Sequence, residues 1–119
     1  MALTEFGREL RIARLKTDIT LAAQAQHVGV TPTFMSGVET GRKKVPAGMA
    51  QALIDFFAGH GYVFSVDMHA LAAVANKSVS LEGLPLAQQM FLASFARASV
   101  DADSLKRYAE LLSKSNREK

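Results

Sequence analysis

The sequence predicts an all-α protein in which five helices are followed by a short strand and two C-terminal helices. Apolar residues recur at helical spacing through most of the 119-residue chain. Threonines stand immediately before three of the apolar runs, where a hydroxyl can cap a helix. The chain is 49% hydrophobic, which favours one compact domain or a small domain with a helical extension.

Three short helices are predicted near the N-terminus, at residues 4–16, 20–29 and 31–41. Asp18 breaks the first helix, and Gly29 ends the second because glycine tolerates positive φ. Pro32 suits the first position of the third helix, where its missing N–H has no intrahelical partner. The inner face of the second helix is expected to consist of Leu21, Ala22, Ala25 and Val28.

The remaining elements are predicted from weaker signals. A fourth helix is expected at residues 46–59 and a fifth at 66–76, the latter capped by Ser65. Residues 78–81 alternate polar and apolar side chains, which favours a short strand. Pro85 opens a sixth helix, and Asp101 caps a seventh. We expect a domain division near residue 61, between a domain at 1–61 and a helical region at 62–119.

Composition and charge narrow the classes of function. The net charge of +3 is unevenly distributed: residues 1–46 carry seven cations against four anions, and residues 47–83 carry one against three. The chain contains no cysteine, so disulfides and thiolate metal sites are excluded. His27, His60 and His69 lack neighbours at ligand spacing, and neither a metal nor a cofactor is expected.

The sequence contains no targeting or catalytic pattern. No apolar run is long enough to span a membrane, and the start MALTEFGREL lacks a signal-peptide core, so a cytoplasmic location is expected. No Ser/His/Asp, paired-carboxylate or phosphate-loop pattern occurs at a suggestive spacing, so an enzyme is not expected.

The most informative segment is residues 20–44, with the sequence TLAAQAQHVGVTPTFMSGVETGRKK. It has the form of two short helices joined by a tight turn. The second helix carries a row of hydroxyl side chains and ends in a glycine followed by three cations. A helix with small polar groups outside and cations at its end suits the major groove of DNA.

Residues from about 5 to 58 resemble the Cro/lambda-repressor class of helix-turn-helix proteins, also called the xenobiotic-response-element (XRE) class. The matching elements are Ala25, the turn Val28–Gly29–Val30, the pair Met35–Ser36 and the run Val38–Glu39–Thr40–Gly41. The resemblance implies a five-helix domain whose third helix enters the major groove of double-stranded DNA. It places Thr33 and Gly37 at base-facing positions. The residues it implies for DNA contact are Thr20, Thr31, Thr33, Ser36, Gly37, Thr40, Arg42, Lys43 and Lys44.

The resemblance also implies a buried ion pair between Arg14 and Glu39; the alternative is two exposed, unrelated charges. Gln24 departs from the class, which usually has a buried leucine there, so either Leu21 fills the space or Gln24 is partly exposed. The third helix has no Gln, Asn or Arg at its base-facing positions, so no side chain there can make a bidentate hydrogen bond to a base edge. Phe34 either packs inside or touches a thymine methyl group.

Short recognition modules read few base pairs, so a homodimer on a palindromic operator is expected. The residues predicted for the dimer interface are Val79, Leu81, Met90, Phe91 and Phe95. The alternative is that these elements complete one monomeric core. The sequence therefore predicts a bacterial or phage-type transcriptional regulator, and the resemblance implies a repressor, which is the most frequent role in this class. An antitoxin whose C-terminal half binds a toxin, and a degenerate domain that binds only protein, remain alternatives.

Overall fold

A computed structural model describes residues 2–117, with side chains through residue 115, and shows seven helices in that range. The helices are α1 (Glu5–Thr17), α2 (Leu21–His27), α3 (Pro32–Glu39), α4 (Met49–Gly59), α5 (Met68–Asn76), α6 (Leu86–Arg97) and α7 (Ala102–Arg117). The helical class agrees with the prediction. None of these described helices has the length and apolar character needed to cross a membrane.

The predicted strand at residues 78–81 is wrong, since the residues described contain no strand. Lys77 adopts a left-handed conformation at φ 57°, and the N–H of Ser78 donates to the carbonyl of Ala73 at 3.1 Å. These residues therefore close α5. The N–H of Leu84 then donates to the carbonyl of Leu81 in a turn at 3.2 Å. The short alternating segment lies between a helix end and a turn, with no strand beside it among residues 2–117 to complete a ladder.

Two helices begin later than the sequence predicts. α4 begins at Met49 rather than at Pro46, because residues 46–48 form a turn in which Gly48 has a φ of +84°. α5 begins at Met68 rather than Val66, and its cap is Asp67 rather than Ser65, since the Asp67 carboxylate accepts from the N–H of Ala70 at 3.0 Å. On α2, Ala22 is exposed rather than on the inner face.

The chain forms two compact units, the first of which ends at Val79. In this unit α1 packs on α3 and α5, α2 packs on α3, and α4 packs on α5. The predicted domain division near residue 61 stays a prediction. The buried apolar core consists of Phe6, Leu10, Ala13, Ala25, Met35, Val38, Val45, Met49, Ala50, Leu53, Phe57, Met68 and Ala72.

The second unit begins at Ser80 and contains α6 and α7. No residue from 80 to 115 is buried. The ring of Phe95 lies 6.0 Å from that of Phe91 and 5.6 Å from that of Tyr108, between centroids. Asp101 caps the start of α7 by accepting from the N–H of Ser104 at 2.7 Å. This backbone hydrogen bond, with a second one from the Ser104 hydroxyl, lowers the pKa of the Asp101 carboxyl.

Candidate nucleic-acid interface

α2 and α3 are joined by a turn that the backbone closes on itself. The N–H of Gly29 donates to the carbonyl of Gln26 at 3.1 Å, and the N–H of Val30 donates to that of Ala25 at 3.0 Å. Gly29 has a φ of +77°, so the α2 end forms a Schellman motif that requires a residue tolerant of the left-handed region. Thr31 then caps α3, accepting from the N–H of Phe34 at 3.0 Å. The turn therefore fixes α3 relative to α2.

A buried polar network ties α1, α2 and α3 together. Arg14 of α1 donates to both carboxylate oxygens of Glu39 at the end of α3, at 2.6 and 3.1 Å. Gln24 of α2 completes the network: its Oε1 accepts from Arg14 at 2.8 Å, and its Nε2 donates to Glu39 at 2.8 Å. The side chains of Arg14 and Glu39 are 13% and 4% exposed, and Gln24 is 0% exposed. The guanidinium, the carboxylate and the amide thus make with one another the hydrogen bonds that water would otherwise provide.

The sequence did not assign Gln24 this role. The signal was present, because a bidentate arginine–carboxylate pair leaves lone pairs and an N–H unsatisfied when it is buried. An amide supplies one acceptor and two donors, and Gln24 stands on the helix between the two partners. Among the side chains described, every buried polar atom has a hydrogen-bond partner.

A second contact joins the start of α1 to the end of α3. The N–H of Thr4 donates to the carbonyl of Glu39 at 2.9 Å, and its hydroxyl reaches the same oxygen at 3.3 Å. Gly7 lies directly against the Glu39 backbone, since a Cβ at Gly7 would overlap the Glu39 carbonyl oxygen. Glu39 therefore anchors α3 through both its side chain and its main chain.

Of the hydroxyl groups predicted to contact DNA, some already make a hydrogen bond within the protein and others do not. Thr20 and Thr31 are exposed helix caps whose oxygens accept backbone N–H groups at 3.0 Å. Thr40 donates back to the carbonyl of Ser36 at 3.0 Å. Thr33 is exposed and Ser36 half-buried, and neither hydroxyl has a hydrogen-bond partner among the side chains and backbone described. Thr33 and Ser36 are thus the α3 hydroxyls most available to a ligand.

The loop after α3 presents three exposed cations, Arg42, Lys43 and Lys44. It is held at its far end by Asn76, which accepts from the N–H of Val45 at 2.8 Å and donates to its carbonyl at 3.0 Å. The ammonium of Lys44 donates to the Asn76 carbonyl at 3.3 Å. Sequence reasoning missed Asn76, which fixes the cationic loop beside α3.

Two further residues of α3, Gly37 and Phe34, were candidates for the DNA-contacting surface. Gly37, expected to face bases, is buried, and the side chain of Lys43 covers it. Phe34 is half-buried and packs against the apolar core, although the thymine-contact hypothesis for it is not tested by this packing.

The residues predicted for a dimer contact lie mostly at the surface. Val79, Leu81, Met90 and Phe91 are exposed, and Phe95 is half-buried. In the second unit, an apolar groove of about 210 Å³ lies between α6 and α7. Its lining is entirely apolar or aromatic and consists of Phe91, Leu92, Phe95, Tyr108 and Leu112.

Comparison with known families gives a match within the first unit. Residues 5–61 match the family model of a helix-turn-helix domain. Such domains bind DNA and are typically non-enzymatic, so the match supports a DNA-binding regulator. Neither the curated proteins nor the solved structures gave a match to the chain.

The three histidines contact other residues of the first unit, and the ring of His69 lies within hydrogen-bond distance of the Gln51 side chain, at 2.9 Å. His27 stacks on Phe56 with ring centroids 4.4 Å apart, and His60 meets the same ring edge-on at 4.9 Å. Across the described residues, no group of three or more histidine, aspartate or glutamate side chains could hold a metal ion.

Proposed function

We propose that the chain is a sequence-specific transcriptional regulator of the Cro/lambda-repressor class, which acts in the cytoplasm as a repressor. The observation that carries the proposal is the arrangement of α3, whose available hydroxyl groups, on exposed Thr33 and half-buried Ser36, precede a cationic loop held by Asn76. A helix of this kind can enter the major groove while the loop meets the phosphate backbone.

The two parts of this surface do different work in the proposal. Arg42 and its neighbouring lysines neutralise phosphates, which releases counterions and supplies affinity without reading sequence. Thr33 and Ser36 have hydroxyl groups available for base edges, and the threonine methyl suits the methyl group of thymine. Thr20 and Thr31 are exposed beside this surface and contact phosphates or sugars.

We expect the full chain to bind DNA from upstream of its own gene much more tightly than a scrambled duplex. Fluorescence anisotropy over a salt series measures this difference. Affinity for both duplexes falls as salt rises. In a plot of the logarithm of the association constant against the logarithm of the salt concentration, each phosphate that the protein neutralises contributes about −0.9 to the slope. Arg42→Ala therefore makes the slope shallower by about 0.9 for each subunit, since each Arg42 guanidinium is expected to neutralise one phosphate. Arg97→Ala removes an exposed cation from α6 in the second unit and is the matched control.

Equal and steeply salt-dependent binding to both duplexes would reduce the proposal to non-specific attraction. An absence of binding to either duplex at low salt would contradict it. In that case the cationic loop and α3 would belong to a protein-binding surface.

We further propose that the regulator is a homodimer held together through the second unit. No residue from 80 to 115 is buried, and Met90 and Phe91 are 61% and 57% exposed. A helical segment this short, without a buried core, has too little apolar burial to be stable alone. A second copy supplies an identical apolar surface and doubles the number of recognition helices, which a palindromic operator requires.

Phe91→Glu is expected to convert the dimer to a monomer, because the charge would have to be buried in the interface. Sedimentation velocity at micromolar concentration measures this. Operator affinity falls about 100-fold or more, since the second half-site no longer binds intramolecularly. Val63→Glu is the control, because Val63 is 81% exposed in the first unit and lies outside the predicted interface.

A Phe91→Glu protein that sediments as a dimer would refute the proposed interface. A wild-type chain that is monomeric would favour the antitoxin alternative, in which a different protein covers α6 and α7.

A further inference from the structure

Gly37 is a glycine that the backbone of α3 does not require. It lies inside the helix, and its φ is outside the left-handed region that favours glycine. Glycine inside a helix is less favourable than alanine because it loses more conformational freedom on folding. The reason for glycine here is space: a Cβ would lie 2.8 Å from Cγ and 3.6 Å from Cβ of Lys43.

Lys43 is held against Gly37 by the backbone. Its N–H donates to the Gly37 carbonyl at 3.0 Å, and its aliphatic stem covers the glycine. Thr33 stands four residues before Gly37 and so shares its side of α3, and the C-cap Thr40 follows three residues after Gly37. The side chain of Lys43 therefore starts from the part of α3 that the class resemblance assigns to base contact.

Lys43 also differs from the next cation in the loop. The ammonium of Lys44 already donates to the carbonyl of Asn76. The ion pairs among the described residues are Glu5–Arg8 and Arg14–Glu39, so the exposed Lys43 has no carboxylate partner there. Its donors are therefore available to a ligand.

We propose that the ammonium of Lys43 donates hydrogen bonds to a base pair in the major groove. Because Gly37 has no side chain, the stem of Lys43 can lie against the recognition helix and start from its base-facing side. A lysine ammonium donates to O6 and N7 of guanine in the major groove, so the base pair is G·C. This inference rests on the proposed function and makes Lys43 a specificity-determining residue rather than only a phosphate contact. It also supplies a strong hydrogen-bond donor that α3 itself lacks.

The test uses the full chain and a site selected from a random duplex library with the wild-type protein. Each guanine of that site is replaced in turn by 7-deazaguanine, which removes the N7 acceptor. Lys43→Met keeps an aliphatic stem over Gly37 but removes the ammonium. At one guanine in each half-site, we expect the 7-deazaguanine substitution to lower the affinity of the wild type about fivefold or more. The same substitution should not lower the affinity of Lys43→Met, which already lacks the ammonium.

Arg42→Ala is the matched control, since a phosphate contact strengthens binding to all duplexes alike. Its sensitivity to each 7-deazaguanine matches that of the wild type. Urea unfolding of Lys43→Met checks that the variant is folded. The 7-deazaguanine substitutions with the wild-type protein need no variant, and they test by themselves whether a guanine N7 contributes to binding.

The inference is overturned if no guanine substitution weakens wild-type binding. It is also overturned if Lys43→Met is as sensitive as the wild type at every guanine. In both cases the selected site still shows specific binding, and the proposed function survives. If the library yields no preferred site, the proposed function fails and this inference fails with it.

Discussion

Replacing Glu39 with alanine will lower the free energy of unfolding by roughly 3–5 kcal/mol. The substitution leaves the guanidinium of Arg14 without its carboxylate in a site that is 13% exposed. It also leaves the buried amide of Gln24 without the oxygen to which its Nε2 donates at 2.8 Å. An unpaired charge and an unsatisfied amide both carry a desolvation penalty that water cannot relieve there.

Urea denaturation of the wild type and Glu39→Ala measures the difference by linear extrapolation. The control is Glu5→Ala, which breaks the ion pair with Arg8 at 3.6 Å. Both of those side chains are more than 60% exposed, so we expect a loss of only about 0–1 kcal/mol. Similar losses in the two variants would show that the Glu39 pair is not buried in solution.

Removing the whole network should cost far less than breaking it. The triple variant Arg14→Met, Gln24→Leu, Glu39→Leu replaces all three polar side chains with apolar ones of similar size. Apolar replacement of a buried ion pair is often neutral or stabilising, so we expect the triple variant to recover most of the stability that Glu39→Ala loses. This contrast separates the penalty for an uncompensated charge from any net gain by the intact network.

The network also affects how DNA-binding mutants are interpreted. Glu39 ends α3 and is held to α1 and α2, so its replacement is expected to disturb the position of α3. For a Glu39→Ala or Arg14→Ala protein that fails to bind DNA, we expect the cause to be unfolding or a displaced α3 rather than a missing base contact. Binding assays on such variants therefore need the unfolding curve beside them.

The first three helices were predictable because local chemistry sets their ends. Thr4, Thr20 and Thr31 each accept a backbone N–H three residues ahead, at 3.0 Å, and Gly29 closes α2. These signals act within a few residues and can be read from sequence alone. The start of α4 was misplaced because Pro46 suits a turn as well as a first helical turn. The strand was wrong because alternation over four residues describes spacing and does not supply a pairing partner.

In the candidate site too, some features could be predicted from the sequence and others depend on tertiary structure. The hydroxyl groups and cations of residues 31–44 could be identified from their order along the chain. The contacts that hold them depend on tertiary structure: Asn76 lies 31 residues from Val45, and Gln24 lies 15 residues from Glu39. The covering of Gly37 by Lys43 depends on the path of the loop, which no residue in it dictates by itself.

The second large effect is expected at Gly7, where replacement by alanine should destabilise the protein by about 3 kcal/mol. A Cβ there would overlap the Glu39 carbonyl oxygen and lie 2.7 Å from its Cα. These are backbone atoms, so no side-chain rotation can relieve the overlap. α1 and α3 would have to separate, which would weaken the hydrogen bond from Thr4 N–H to that carbonyl.

Gly59→Ala is the matched control, because it makes the same chemical change in a helix with nothing within 4 Å of the added Cβ. Alanine reduces the conformational entropy lost on folding, so this variant should gain about 0.5 kcal/mol. The two substitutions therefore shift the urea midpoint in opposite directions. A Gly7→Ala protein as stable as Gly59→Ala would mean that α1 and α3 do not approach this closely in solution. The anchoring of α3 through the Glu39 main chain would then have to be abandoned, whereas the side-chain network would still be judged by its own variants.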